Sequence, residues 1–450
     1  MTSSGQPTSS SPRSVSLEDV SAPVEHEDAL AEIAEPTLPE DRHDPYAAFR
    51  SPNYRLFAAG FFISSTGLQM LGLAVGWEMY ERTDDPLMLG WIGVARALPV
   101  LALALPAGHL IDTFDRRKVL ALTQVAFAIM IGALAIASHL KAPVWITYVL
   151  LTLSGCARVF NGPSRATLLP LIVPPSDFHN ATTWNSGVFQ LSAVGGPILA
   201  GYMLAHWGKA WPVYAVTAAA CLVFAFLAMR LRPRESPRNT QPWSWASITA
   251  GTSHLWREKT ILAAIALDLF AVLLGGATAL LPIFARDILK ADPSVLGYLR
   301  AAPFVGAFLM ALYLAHRPPF RRAGPALLWS IAAFGAAMIV FGLSTSLWLS
   351  LAALLVSGAV DNISVVIRHV LVQVRTPEHL RGRVSSVNSV FIESSNELGA
   401  FESGVVARLF GPVVSVVSGG IGTLLVVAGV AKAIPAIRKL GRIDEPPGGV

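Results

Sequence analysis

Twelve apolar runs, each long enough to cross a bilayer as a helix, fill most of the chain between Tyr54 and residue 435. A bilayer core takes about 20 helical residues to span. Backbone placed in hydrocarbon must satisfy its own hydrogen bonds, so such runs fold as helices. The pattern predicts an all-α polytopic membrane protein with helices near 55–80, 88–110, 118–138, 144–166, 181–206 and 211–230. A second set is predicted near 260–285, 295–315, 324–345, 347–372, 385–408 and 411–435. Of the 450 residues, 53% are hydrophobic and 14% charged. Soluble domains carry about 25% charged residues, so most of this chain belongs in lipid.

The net charge of +5 does not point to nucleic acid, because the bases sit in short connections between apolar runs. Arg50 and Arg55 precede the first run, Arg116, Arg117 and Lys118 follow the second, and Arg165 follows the fourth. The alternate connections hold mainly Glu81, Asp84, Asp85, Lys141, Lys209, Asp287, Lys290 and Asp292. The positive-inside rule then places both termini in the cytoplasm, with the protein in the cell inner (plasma) membrane. Cys156 and Cys221 fall inside apolar runs and read as packing residues. The sequence lacks a phosphate-binding glycine loop and a metal-ligand spacing, so no cofactor and no metal is expected, and the chain is not read as an enzyme. The expected partners are membrane lipid, a small-molecule substrate and a coupling proton.

Residues 1–50 are rich in Ser, Pro, Thr and Glu and read as a disordered cytoplasmic tail. The expected organisation is then a six-helix bundle over 51–230, a cytoplasmic linker over 231–259, a second six-helix bundle over 260–435 and a tail over 436–450. The two halves repeat. At an offset near two hundred residues, Ser154-Gly155 pairs with Ser357-Gly358, Arg165 with Arg368, Asn185 with Asn388, and Gly201 with Gly404. Two parallel six-helix repeats are an architecture in which bundles rock about a central site.

Between the second and third runs lies Pro106-A-G-H-L-I-D-T-F-D-R-R-Lys118. Its Gly108 permits close backbone approach, and Asp112 is placed to meet the positive end of another helix. With Asp115, Arg116, Arg117 and Lys118, these residues resemble the signature loop of the major facilitator superfamily. Thr113 and Asp115 stand where that pattern often has a base and a glycine. The Asp-Arg-Arg-Lys variant is similar to an efflux branch that includes an enterobactin exporter. Further stretches carry the same resemblance: Pro163-S-R-A-T-L-L-P, Thr376-P-E-H-L-R-G-R-V-S-S-V-N and Asn396-E-L-G-A-F-E-S-G. On the fifth run, Ser192, Gly196, Pro197 and Gly201 resemble a pattern associated in that family with exporters. Small residues there also allow tight helix contact, and Pro197 removes a backbone bond.

A charge at the membrane centre costs about 2.5–3.5 kcal/mol on the insertion scale and is kept for a partner or a task. Arg158, followed by Asn161, resembles the family's pattern on the fourth helix, which implies a role in proton transfer. Asp361 holds the equivalent position in the second half and is expected to face Arg158. Glu393 and Glu397 share one helical face, and Asp268 is the one acid in its run. Arg158, Asp268, Asp361, Glu393 and Glu397 are therefore the proton-coupling candidates. Gln69, Trp77, Asn161, Asn185, Gln190, Asn362 and Asn388 are the substrate-cavity candidates. The resemblance implies a secondary active transporter that exports a small organic molecule, siderophore-like or drug-like, by proton antiport. The residues leave open a proton-coupled importer on the same fold, or a membrane scaffold or sensor acting through the tail.

Overall fold

A computed structural model describes residues 44–234, 258–275, 277–318, 320–438 and 440–441. The tail up to residue 43, linker residues 235–257 and residues 442–450 lie outside the described residues. So do the side chains of 104–113, 259, 260, 378, 379, 381–383, 385–387, 390 and 436.

Twelve long helices stand where the apolar runs lie. They are α1 (Pro52–Thr83), α2 (Pro86–Thr113), α3 (Arg116–His139), α4 (Val144–Ile172), α5 (Phe178–Trp207) and α6 (Trp211–Arg230). Then come α7 (Lys259–Leu274, continuing irregularly to Ile288), α8 (Pro293–Ala315), α9 (Ala323–Leu343), α10 (Leu347–Arg375), α11 (Glu378–Phe410) and α12 (Pro412–Ala433). Their ends follow from local chemistry. Ser51 Oγ accepts from Tyr54 N–H at the start of α1, with Pro52 in the first turn. Asp292 caps α8 ahead of Pro293 in the same way. Asp84 ends α1 in the left-handed region at φ 50°, a conformation a short polar residue tolerates.

The seventh helix departs from a single run. Beyond Gly275 it becomes a 3₁₀ turn over Ala277–Leu280, then a short α segment and a π turn over Phe284–Ile288. Pro282 in this stretch has no N–H to give the ladder. The second helix also runs further than its apolar residues, so Gly108 and Asp112 lie on α2 and the loop shrinks to Phe114 and Asp115.

Among the described residues, eleven of the twelve helices are long and apolar enough to cross a membrane. The twelfth, α11, carries Glu393, Glu397, Glu402 and Arg408, and packs against α2, α7 and α12. Within the first six helices, α1 packs on α5 and α6, α3 on α4 and α6, and α2 on α4. In the second six, α8 packs on α10, α9 on α10 and α12, and α7 on α11 and α12. The bundles meet through α2 with α11 and α5 with α8, two contacts related by the repeat. The relation holds at atomic detail. A Cβ at Gly201 on α5 would stand 2.8 Å from the Pro293 carbonyl oxygen at the start of α8. One at Gly404 on α11 would stand 3.0 Å from the Pro86 oxygen at the start of α2. Both helix crossings thus need a residue without a side chain.

The apolar cores show where the bundles part. At the end carrying the start of α1 and the end of α6, one core draws its described residues from between Ala48 and Leu231. Its counterpart draws its described residues from between Ile261 and Leu440. At the opposite end, near the α1–α2 turn, one core joins both halves, with Met70, Tyr214, Phe284 and Leu299 among its members. The bundles are sealed together at the α1–α2 end and separate at the end where the described chain begins and finishes.

Short segments tie off that second end. Ala47–Arg50 forms a 3₁₀ turn whose Ala48 N–H donates to Asn180 Oδ1 at 3.1 Å. Past α12, Leu440 and Gly441 offer carbonyls to the free N–H groups of Gly324 and Ala323 at the start of α9.

Candidate functional site

A cavity of about 670 Å³ lies between the bundles, within the range of small-molecule sites. Helix α1 contributes Phe61, Ser64, Gln69 and Gly72, and α2 contributes Gly93 and Arg96. Arg158, Asn161 and Arg165 come from α4, Arg300 and Phe304 from α8, and Glu393, Asn396 and Glu397 from α11. Phe127, Phe189 and Phe224 complete an aromatic wall. Among the described residues the lining thus holds four arginines on candidate membrane-spanning helices and two glutamates on α11.

These charges are unevenly partnered. Arg158 Nη1 lies 3.9 Å from Glu397 Oε1, a pair that links the two bundles across the cavity. The Arg165 guanidinium sits 4.3 Å from the centre of the Phe61 ring. Arg96 and Arg300 converge over Gly72. A Cβ there would stand 3.0 Å from Arg300 Nη2 and 3.9 Å from Arg96 Nη2.

The sequence candidates divide. Of the proton-coupling set, Arg158, Glu393 and Glu397 line the cavity, and Asp268 and Asp361 do not. The acid facing Arg158 is Glu397 and not Asp361, because α11 packs along α2, which packs on α4, whereas α10 packs on α8 and α9. Asp268 forms a buried ion pair with Arg368 inside the second bundle. Of the cavity set, Gln69 and Asn161 line the space; Asn161 Nδ2 donates to Thr123 Oγ1 at 3.3 Å. Trp77 is buried in the shared core. Gln190 donates to the Phe304 carbonyl across the α5–α8 contact, and Asn362 donates to the Ala307 carbonyl at 3.1 Å within its own bundle. Asn185 and Asn388, the repeat-related pair, also lie off the cavity, each with a buried Oδ1 that has no hydrogen-bond partner among the described residues.

The α2–α3 stretch is only partly described. Gly108 and Asp112 lie outside the described side chains. Asp115 caps α3, accepting from the N–H groups of Arg117 at 3.0 Å and Lys118 at 3.4 Å. Arg117 Nη1 donates to the Leu231 carbonyl at 2.9 Å, tying α3 to the end of α6. Arg116 is half-buried and Lys118 exposed.

On α5, Ser192 donates to the Val188 carbonyl at 2.9 Å and accepts from Thr66 Oγ1 at 3.2 Å. Gly196 packs on α1 beside Gln69, and the Pro197 carbonyl approaches Gly297 of α8. The small-residue pattern thus builds the sealed side of the inter-bundle contact. Further groups close that side. Arg286 pairs with Asp84 and stacks over the Tyr80 ring, Tyr80 bonds Asp287, and Arg408 Nη1 lies 3.4 Å from Asp85.

Sequence reasoning missed Arg300 as a site residue and took Arg165 only as an orientation signal. A signal was present: Gly93-V-A-Arg96-A-L-Pro99 in the first half repeats as Gly297-Y-L-Arg300-A-A-Pro303 in the second. Glu78, the buried acid on α1, is satisfied structurally. Its carboxylate accepts from Tyr214 Oη at 2.7 Å and Ser138 Oγ at 2.8 Å.

The sequence matches the profile of the Major Facilitator Superfamily over residues 57–400. The multidrug efflux pump Tap of Mycolicibacterium fortuitum is 25% identical over 403 residues, 87% of this chain and 97% of that protein. The enterobactin exporter EntS of Escherichia coli O1:K1 is 24% identical over 381 residues, 83% of this chain and 90% of that protein. Among solved structures, a bacterial homologue of the iron transporter ferroportin in an inward-facing state gives a TM-score of 0.66 at 17% identity. That alignment covers 84% of this chain and 98% of the other. The nucleoside transporter NupG gives 0.65 at 13% identity over 86% and 100%. These structures share the fold.

Proposed function

Because the chain belongs to the Major Facilitator Superfamily, a family of secondary transporters, we propose that it exports a small organic molecule by proton antiport through alternating access. The observation that carries this reading is the central cavity, which borders two bundles sealed at one end and separate at the other. With both termini in the cytoplasm, the state described is open inward and is the one that would load cargo for export. The likeness to Tap and EntS supports the export direction. A siderophore-like or drug-like cargo suits a space of about 670 Å³ with aromatic walls.

Glu397 is the acid we assign to the coupling proton, with Glu393 one turn away on the same face. Glu397 faces the cavity and is held by Arg158 of the opposite bundle, so its protonation would release a link between the two. In this reading Asp112 and the bases after it latch the cytoplasmic side in the alternate state. The test is transport in reconstituted vesicles. An inward proton gradient should drive outward movement of a multidrug dye through the wild-type protein, and Glu397→Gln should abolish gradient dependence. Inward movement driven by the same gradient would reverse the assignment to import. Gradient-driven export by Glu397→Gln at the wild-type rate would remove Glu397 from the coupling role.

A further inference from the structure

We propose that Arg96 and Arg300 form an anion seat, and that the cargo of this transporter is an organic anion with an apolar aromatic body. The two residues lie on α2 and α8, the helices that the repeat relates, each within a Gly-x-x-Arg-Ala-x-Pro stretch. Their guanidinium ends come together over Gly72, both within 3.9 Å of the point a Cβ would occupy. Like charges repel at that range. Neither arginine makes a hydrogen bond or an ion pair among the described residues. The acid closest to this role, Glu397, is already facing Arg158. It acts electrostatically on Arg96 and Arg300 as well, so one carboxylate serves three cations. Among the described lining residues four arginines face two glutamates. Excess positive charge in a low-dielectric cleft concentrates anions there.

Guanidinium groups bind carboxylates, phenolates and phosphates through paired N–H donors. An anionic group between Arg96 and Arg300 would relieve their repulsion and satisfy their donors. Gly72 keeps the floor of this seat clear, since a side chain there would press on Arg300. The rest of the molecule would lie against Phe61, Phe127 and Phe304. A cation or a neutral molecule gains nothing from the seat. The inference rests on the transport reading for its choice of occupant. The same anionic chemistry could also be supplied by inorganic phosphate or a lipid headgroup.

The test is binding by calorimetry to the full-length protein in phosphatidylcholine nanodiscs. The probes are a panel of aromatic carboxylates headed by 2-naphthoate, each set against its neutral amide. The carboxylate should bind about ten- to a hundredfold more tightly than the amide, the gain expected of charge-assisted hydrogen bonds. Arg96→Gln and Arg300→Gln should each erase that preference, while Arg300→Lys keeps part of it. Gly72→Val, which fills the seat without changing charge, should also erase it. Equal affinity within every pair in the wild-type protein overturns the proposal, and this comparison needs no variant. Competition by inorganic phosphate at concentrations equal to 2-naphthoate makes the seat one for free inorganic ions and overturns the organic-anion assignment. Naphthoate binding that is lost when phosphatidylglycerol replaces phosphatidylcholine assigns the seat to lipid and does the same. Gradient-driven export of 2-naphthoate by reconstituted vesicles is measured with the same purified protein. Its presence without a carboxylate preference sinks the anion seat alone, and its absence with that preference intact sinks the export reading alone.

Discussion

The pair Asp268–Arg368 offers the most direct check on the packing described above. Asp268 is 5% exposed and Arg368 3% exposed, and they face each other between α7 and α10 inside the core of the second bundle. Asp268→Asn leaves the Arg368 cation buried without its counter-charge. Removing one partner of a buried pair costs about 3–5 kcal/mol, or about two to three and a half powers of ten in the unfolding equilibrium. Replacing both by apolar residues of similar volume is neutral or stabilising by about 1–4 kcal/mol. Asp268→Leu with Arg368→Met should therefore recover most of what Asp268→Asn loses. The assay is reversible chemical unfolding in mixed micelles, followed by circular dichroism, for the wild type, the single variant and the double variant. If Asp268→Asn unfolds with the wild type, or the double variant is no better than the single, the pair does not hold the bundle together. Such a result, with transport lost, would return Asp268 to the proton-coupling role that its lone position in an apolar run suggested.

The sealed end makes further tests. Gly201→Leu should wedge α5 from α8, because even a Cβ meets the Pro293 carbonyl at 2.8 Å; a cysteine at Thr278 should then label faster with maleimide added from the α1–α2 side, and an unchanged rate contradicts the contact. Arg286→Ala should raise the same labelling by no more than about fivefold, since partly exposed ion pairs contribute about 0–1 kcal/mol each; a hundredfold rise would mean this cluster alone holds the end shut. Tyr214→Phe should cost about 1.5–3 kcal/mol in chemical unfolding, the worth of a buried hydrogen bond to a charged group. A loss under 0.5 kcal/mol, judged against that same range, would show that Glu78 does not depend on it.

The fold was legible because lipid imposes a simple rule. Residues that meet hydrocarbon must be apolar over a fixed length, so eleven of the twelve helices stand out as apolar runs among the described residues. The repeat was legible because Asn, Pro, Arg and Gly do not recur at one offset through apolar composition. Departures came where the apolar pattern does not govern the backbone. The break beyond Gly275 and the polar opening turns of α11 depend on how neighbouring helices satisfy or shield the chain.

The site was legible only in part. Charges inside apolar runs marked Arg158, Glu393 and Glu397, and all three reach the cavity. The same rule marked Asp268, which the fold instead gives to Arg368, and Asp361, which lies off the cavity. Polar residue type alone was a poor guide. Gln190 and Asn362 spend their amides on backbone carbonyls of α8, and Trp77 fills a core.

Apolar length and internal repetition thus determined the number of helices and their grouping by sixes, and short motif stretches carried the family resemblance, since all of these are legible along the chain without knowing which segments touch. Which buried charge faces which, which glycines hold helices at contact, and that two arginines meet over Gly72 were decided by tertiary structure. Partners across a cavity belong to segments about two hundred residues apart, and only the crossing of α2 with α11 and of α5 with α8 sets their distance.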